Sequence, residues 1–99
     1  PQPPDAMFCQ NDIIARGALA AAGEAGVTLA LVGYDDREFA KDLGITSITL
    51  PFAEMAERAL VELASEKTLA DKTVFVAGEL IERATTQCRR LTTNARATV

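Results

Sequence analysis

The sequence contains no histidine and no tryptophan, and only 5% of its 99 residues are aromatic. Without histidine, the commonest general base of enzymes is unavailable. The scarcity of rings excludes a core of stacked aromatic side chains, and the many Ala and Val residues favour an aliphatic core between helices and a sheet. The composition therefore gives little support to catalysis and predicts helix-on-sheet packing.

Cysteine and long hydrophobic runs are also scarce. Cys9 and Cys88 are too few for the disulfide framework of a small secreted domain. Cys9 falls in a predicted strand without an activating partner, so we expect an inert core thiol and not a nucleophile. No apolar run could cross a bilayer, and residues 1–4 lack the layout of a signal peptide. We therefore expect a cytoplasmic protein without membrane contact and, because the chain does not begin with Met, a processed or excerpted piece.

The chain has no excess of positive charge. It carries 10 Lys and Arg against 14 Asp and Glu, a formal net charge of −4. Nucleic-acid surfaces require clustered basic residues, so this balance argues against one here. The late basic residues, Arg83, Arg89, Arg90 and Arg96, are most simply explained as part of a solvated tail. Any contact with DNA is expected to lie outside this chain.

The sequence is rich in short apolar runs that are each followed by a polar turn. The pattern predicts strands over residues 6–9, 28–33, 45–50 and 73–81, and helices over residues 11–25, 37–43 and 52–65. We expect the first strand to be buried on both faces, as in a parallel sheet. Asn11 is a natural N-cap and Gly26 a natural C-cap of the first helix. The strand-helix-strand order predicts a parallel crossover.

Polar residues at the carboxyl ends of the first two strands are the candidate site residues, because ligands of open α/β sheets bind at that edge. Asp12 places a carboxylate in the first helical turn, where acids are common without any ligand. Asp35 and Asp36 could hold Mg²⁺, but adjacent turn residues usually point apart and no third oxygen ligand is evident. We therefore expect no metal and no cofactor.

The order and spacing of several motifs resemble the C-terminal part of the effector-binding domain in the lactose/galactose repressor family of bacterial transcription regulators. The resemblance rests on residues 4–9, Asn-Asp-Ile-Ile-Ala at 11–15, Gly-Ala-Leu at 17–19, Val-Gly-Tyr-Asp-Asp at 32–36, Thr-Ser-Ile at 46–48, Pro-Phe at 51–52, Glu-Met at 54–55 and Leu-Ile-Glu-Arg at 80–83. The sequence departs from the usual pattern of that family at two places. The connection after Gly26 is about four residues shorter than usual, and Leu50 stands where relatives commonly carry Gln.

The resemblance implies an α/β fold with a parallel sheet flanked by helices, as a fragment of a two-lobed, periplasmic-binding-protein-like type I fold. Residues 1–86 would form the C-terminal part of the effector-binding domain, with 4–50 mainly in the C-terminal lobe. Residues 52–66 would be a helix of the other lobe, 73–82 a returning strand and 87–99 a tail. We expect this chain alone to be unable to close the cleft between the lobes.

The same resemblance implies roles for particular residues. Asp12 would accept hydrogen bonds from the effector, so we expect Asp12→Asn to weaken the effector response more than folding. Asn11 is more a helix cap than a contact. Phe52 would offer its ring to the effector or simply pack in a core. Residues 33–36 would form a structural turn, and Phe39, Ala40 and Leu43 would contribute to a dimer interface, unless that helical turn packs only on its own lobe.

The function implied is sensing of a small effector, sugar-like or nucleobase-like, by a homodimeric regulator without enzymatic activity. Operator DNA would be bound only through an N-terminal headpiece that this chain does not include, and the effector would act allosterically on operator affinity. The alternative is a solute-binding protein of the same fold without DNA function. An α/β enzyme with an acidic pocket, or a receiver-like domain phosphorylated at Asp35 or Asp36, is a more distant third.

Overall fold

The structure, a computed structural model, describes residues 2–65 and 72–87. The predicted tail therefore lies outside the described residues, apart from its first residue, Gln87. The elements in chain order are β1 (Ala6–Phe8), α1 (Asp12–Ala25), β2 (Ala30–Val32), α2 (Glu38–Leu43), β3 (Ser47–Ile48), α3 (Phe52–Ala64), β4 (Leu80–Ile81) and a 3-10 turn (Ala84–Thr86). No helix in the described part of the chain is long and apolar enough to cross a membrane.

The sheet has the predicted parallel order at its start. β1 pairs in parallel with β2, with Met7 opposite Leu31, and parallel bridges from Val32 to Thr46 and from Asp35 to Thr49 bring β3 alongside β2. β4 then pairs with β3 in antiparallel orientation. The carboxyl ends of β1, β2 and β3 consequently lie at one edge of the sheet.

Two strand predictions need correction. β1 is not buried on both faces: Phe8 is 60% exposed, because the described chain places nothing over that side. Of the predicted strand over residues 73–81, only Leu80–Ile81 is paired as a strand. At Gly78 the segment passes close to the strand edge, since a Cβ there would overlap the carbonyl oxygen of Thr49.

Local signals place the helix ends as predicted. The Asn11 side chain accepts a hydrogen bond from the Ile14 amide at 2.9 Å and so caps α1. Gly26 (φ 66°) and Gly44 (φ 70°) end α1 and α2 in the left-handed conformation that glycine adopts at little cost. Four residues, 26–29, connect α1 to β2, and the Val27 amide turns back to bond the carbonyl of Ala22.

The core is small and aliphatic, as the composition predicts. Its buried apolar members are Cys9, Ala15, Leu31, Ala40 and Ile45, and Ala18, Leu19 and Leu29 pack against them. Alanines on α1 and α2 let both helices approach the sheet closely. The core thus joins the first three strands to α1 and α2.

Helix α3 takes no part in this core. It is amphipathic, yet none of its residues is buried. The described chain therefore combines a packed α/β unit with an amphipathic helix that has no buried residue, although residues 72–76 lie beside it.

Candidate functional site

The carboxyl edge of the sheet brings together the two polar turns that the sequence singles out. The first follows β1 and contains Asn11 and Asp12. The second, residues 33–37 after β2, is called the aspartate loop below. The Asp12 amide donates to the Tyr34 carbonyl at 2.9 Å, so the start of α1 is bonded directly to this loop. Residues 22 positions apart in sequence therefore form one surface.

Asp12 lies beneath this surface. It is fully buried, and both of its carboxylate oxygens have protein donors. Oδ2 accepts from the backbone amide of Arg37 at 2.7 Å, and Oδ1 accepts from the hydroxyl of Ser47 at 2.7 Å. A direct contact of Asp12 with an effector stays a prediction, and it would require the buried carboxylate to become accessible.

Gly33 is required by the position of that carboxylate. A Cβ at Gly33 would overlap Oδ1 of Asp12. The glycine lets the backbone of the aspartate loop pass directly over the buried carboxylate. This close approach explains why the apolar strand β2 is followed by glycine. The contact joins residues that are far apart in the chain, so the local sequence does not reveal it.

Asp35 is the residue at this edge that sequence reasoning underrated. Its φ of 102° is rare for a residue with a side chain, and such strained positions concentrate at functional sites. Its carboxylate is partly exposed and lies 3.8 Å from Nε of Arg37. The tandem Asp35-Asp36 was the available signal, but it suggested a structural turn, a metal site or a phosphoryl acceptor and not a contact with an effector.

Asp36 is used differently from its neighbour. Its φ is also positive, at 54°, but its Oδ1 accepts from Nη1 of Arg83 at 2.7 Å. The two aspartates therefore do not form a joint ligand pair. Within the described ranges no group of three His, Cys, Asp or Glu side chains could hold a metal ion.

Asn11 and Phe52 flank the edge in partly or fully exposed positions. The Asn11 side-chain oxygen is used in the helix cap, which leaves its amide group as a donor. Phe52 begins α3 directly after the chain leaves β3 and is 66% exposed. Core packing, one of the two explanations considered for Phe52, is therefore not observed in the described chain. Its contact with an effector stays a prediction.

The predicted dimer residues lie on α2 in unlike surroundings. Ala40 is fully buried in the chain's own core, so packing within its own unit accounts for it. The Phe39 ring lies under the guanidinium of Arg16, 4.3 Å from its centroid, and Leu43 is exposed. A role in a dimer interface stays a prediction for Phe39 and Leu43.

Cys9 has the properties of a core thiol. It is buried at the end of β1, and its amide donates to the Val32 carbonyl at 2.7 Å. Burial raises the pKa of the Cys9 thiol, because the thiolate loses hydration. A protonated, inaccessible thiol is a poor nucleophile, as the sequence predicts.

Comparison with known proteins gives a consistent result. A family model described as a periplasmic binding protein-like domain matches residues 1–86. The HTH-type transcriptional repressor CytR of Escherichia coli (strain K12) is 35% identical over 69 residues, which cover 64% of this chain and 20% of that protein. The HTH-type transcriptional repressor PurR of Erwinia tasmaniensis is 33% identical over 91 residues, which cover 83% of this chain and 27% of that protein.

A solved structure agrees with these relatives. The crystal structure of a probable transcription regulator from Thermus thermophilus superposes with a TM-score of 0.68 at 29% identity, covering 89% of this chain and 37% of that one. The chain spans about a quarter of the length of the curated relatives it matches. These relatives confirm the resemblance to the lactose/galactose repressor family and the α/β fold that it implies.

Proposed function

This chain belongs to the periplasmic binding protein-like domain family, and on that premise we propose that it is part of the effector-sensing domain of a bacterial transcription regulator. The observation that carries the proposal is the meeting of the Asn11 turn and the aspartate loop at the carboxyl edge of a parallel sheet, where ligands of such sheets bind. The similar proteins named above are transcriptional repressors, not enzymes, which supports a sensing role.

The exposed groups at this edge suit a small polar ligand with an apolar face. Asp35 supplies a partly exposed carboxylate that accepts hydrogen bonds, Asn11 an amide donor, and Phe52 an exposed ring. A sugar or a nucleobase offers hydroxyl or N–H donors to the carboxylate and a flat or apolar face to the ring. We assign direct contact to these three residues.

Asp12 serves the same site from below. Its two hydrogen bonds, to the backbone of Arg37 and the side chain of Ser47, tie the aspartate loop to α1 and β3. In this arrangement Asp12 holds the aspartate loop in position. Direct contact of Asp12 with the effector is the second of its two proposed roles.

The remaining parts of the proposal concern the whole protein. It is a cytoplasmic homodimer, with Phe39 and Leu43 at the dimer surface, and it binds operator DNA through a region outside this chain. The effector acts by shifting the two lobes and thereby changing operator affinity. The membership of the family and the repressor relatives support this assignment, and the exposed α3 is in keeping with a helix that belongs to a second lobe.

A solute-binding protein of the same fold is the second candidate, since the family model itself describes a periplasmic binding protein-like domain. The relatives favour the regulator, because they are repressors and the solved structure is a probable transcription regulator.

Ligand and DNA screens on the complete encoded protein separate the two candidates. Thermal-shift screening with monosaccharides, nucleobases and nucleosides finds the ligand class, and selection from random DNA duplexes tests operator binding. We expect a binding compound that also changes affinity for the selected duplex. A compound that binds while no duplex is enriched would establish the solute-binding alternative.

The Asp35→Asn variant tests the contact residues. Asn retains one acceptor and tolerates a positive φ, so it removes the charge with little change in the backbone. A hydrogen bond to a charged group contributes about 1.5–3 kcal/mol, so we expect affinity for the compound to fall about tenfold or more. Asp42→Asn, an exposed carboxylate on α2, is the matched control and is expected to bind normally. Unchanged affinity in Asp35→Asn would remove Asp35 from the site.

A further inference from the structure

The aspartate loop adopts a conformation that its own sequence does not favour. Asp35 and Asp36 are consecutive residues with positive φ, at 102° and 54°. Left-handed backbone is unfavourable for residues with a side chain and persists only where the surroundings enforce it. Groups outside the loop must therefore hold it in place.

Three successive amides of the loop are hydrogen bonded to groups outside it. The Asp35 amide donates to the Ile48 carbonyl at 3.0 Å. The Asp36 amide donates to Oγ of Ser47 at 3.0 Å, and the Arg37 amide donates to Oδ2 of Asp12 at 2.7 Å. The backbone of the loop is thus fixed from β3 and from α1.

The side chain of Asp36 is held from a third direction, by Arg83. Nη1 of Arg83 donates both to Oδ1 of Asp36 at 2.7 Å and to the Ile45 carbonyl at 3.0 Å. The Arg83 side chain is only 17% exposed, so this ion pair is shielded from solvent much more than the Glu62–Lys72 pair elsewhere in the chain. One terminal nitrogen can serve both acceptors because each NH₂ group of a guanidinium carries two hydrogens.

Arg83 is itself fixed by bonds to the sheet, so its assignment to a solvated tail is wrong. Its amide donates to Oγ1 of Thr46 at 2.8 Å. Two residues later, the Thr85 hydroxyl donates to the Leu31 carbonyl at 2.7 Å and accepts from the Thr46 amide at 2.9 Å. The Thr85 amide donates to the Gly44 carbonyl at 3.0 Å. Residues 83–86 therefore form a clasp on β2 and β3, from which the guanidinium reaches the loop.

We propose that Arg83 is a positioning residue for the aspartate loop: it holds Asp36 from the clasp and thereby sets the direction of Asp35 without touching the effector. As far as it concerns the effector, this inference rests on the function proposed above. Asp36, committed to Arg83, is the fixed member of the pair, and Asp35 is the member presented at the edge.

Residue-resolved hydrogen exchange on the complete encoded protein tests the positioning of the loop. We compare Arg83→Met with Lys72→Met, which also removes one positive charge and one ion pair. In Arg83→Met we expect exchange at the amides of residues 35–37 to accelerate about tenfold or more relative to amides within α1. Lys72→Met should leave that ratio unchanged. If Arg83→Met also left the ratio of exchange at residues 35–37 to exchange within α1 unchanged, the proposal would be overturned. Such a result would show that Arg83 does not stabilise the loop specifically.

A second variant covers the possibility that Arg83→Met fails to fold. Asp36→Asn keeps an acceptor for Arg83 and tolerates the left-handed backbone, while it removes the charge from the pair. The exchange ratio at residues 35 and 37 should rise in this variant too, by a smaller factor. No rise in Asp36→Asn would overturn the inference independently of the Arg83 variant.

The effector measurement separates this inference from the proposed function. With a compound found by the ligand screen, Arg83→Met should weaken binding. Arg83→Lys should restore only part of it, because the Lys side chain is one atom shorter and its ammonium does not reach the position of Nη1. Equal affinity in wild type and Arg83→Met would overturn the positioning role and leave the proposed function intact. If no compound binds wild type, the proposed function fails, and the exchange ratios still decide whether Arg83 positions the loop.

Discussion

Replacing Asp12 with Asn tests whether the buried carboxylate organises the candidate site. The Asp12 carboxylate accepts two hydrogen bonds at 2.7 Å, from the Arg37 amide and the Ser47 hydroxyl, and it is fully buried. Asn can accept one of these bonds with its oxygen and must turn its NH₂ group toward the other partner. Because a hydrogen bond to a charged group contributes about 1.5–3 kcal/mol, we expect a loss of stability of that order.

From the sequence, Asp12→Asn is expected to weaken mainly the effector response. The structure predicts that the same substitution also lowers the stability of the fold. Urea unfolding of the complete encoded protein, followed by far-ultraviolet circular dichroism, measures this loss of stability. Asp42→Asn, which neutralises an exposed carboxylate, is the control and should stay within about 0.5 kcal/mol of wild type.

Ser47→Ala provides the second arm of a double-mutant cycle. Ser47 donates to Asp12 and accepts from the Asp36 amide. Since the two side chains share a hydrogen bond, the double variant should lose less stability than the sum of the two single losses, by about 0.5–3 kcal/mol. Strict additivity, or an Asp12→Asn variant as stable as Asp42→Asn, would refute the assignment of a structural role to the carboxylate.

Three further predictions concern other parts of the chain. Gly33→Ala should destabilise the protein, since the added Cβ would overlap the buried Oδ1 of Asp12. Gly17→Ala lies in open space on α1 and should stabilise the protein by about 0.5–1 kcal/mol. The urea midpoints of the two variants should therefore shift in opposite directions. The Cys9 thiol should react with Ellman's reagent far more slowly than a free thiol. Because burial raises the pKa of this thiol, its contribution to stability is present below the ordinary thiol pKa and is lost as the pH rises through its pKa in the folded protein. The hydrogen bond from Lys72 lowers the pKa of Glu62, so Lys72→Met should raise that pKa in an NMR titration. The Glu62–Lys72 pair stabilises the chain above the ordinary carboxyl pKa, and this contribution is lost as the pH falls through the lowered pKa of Glu62.

The sequence by itself determined the features that depend on neighbouring residues. Asn11 caps α1 through an amide three residues away, and Gly26 and Gly44 end their helices through bonds to carbonyls three and four residues back. The order of these short signals was also enough to identify the family. Strand lengths were overestimated, because pairing depends on what lies beside a strand and an apolar run does not report this.

Only the tertiary structure decided what each polar residue at the edge does. Asp12 and Ser47 are 35 residues apart in the chain, and Asp36 and Arg83 are 47 apart. Nothing within either local segment indicates that the acid after β1 is buried and fully bonded, or that one of two adjacent aspartates is held while the other is presented. Local propensity sets the turn, but long-range hydrogen bonds set its strained backbone and so the direction of Asp35.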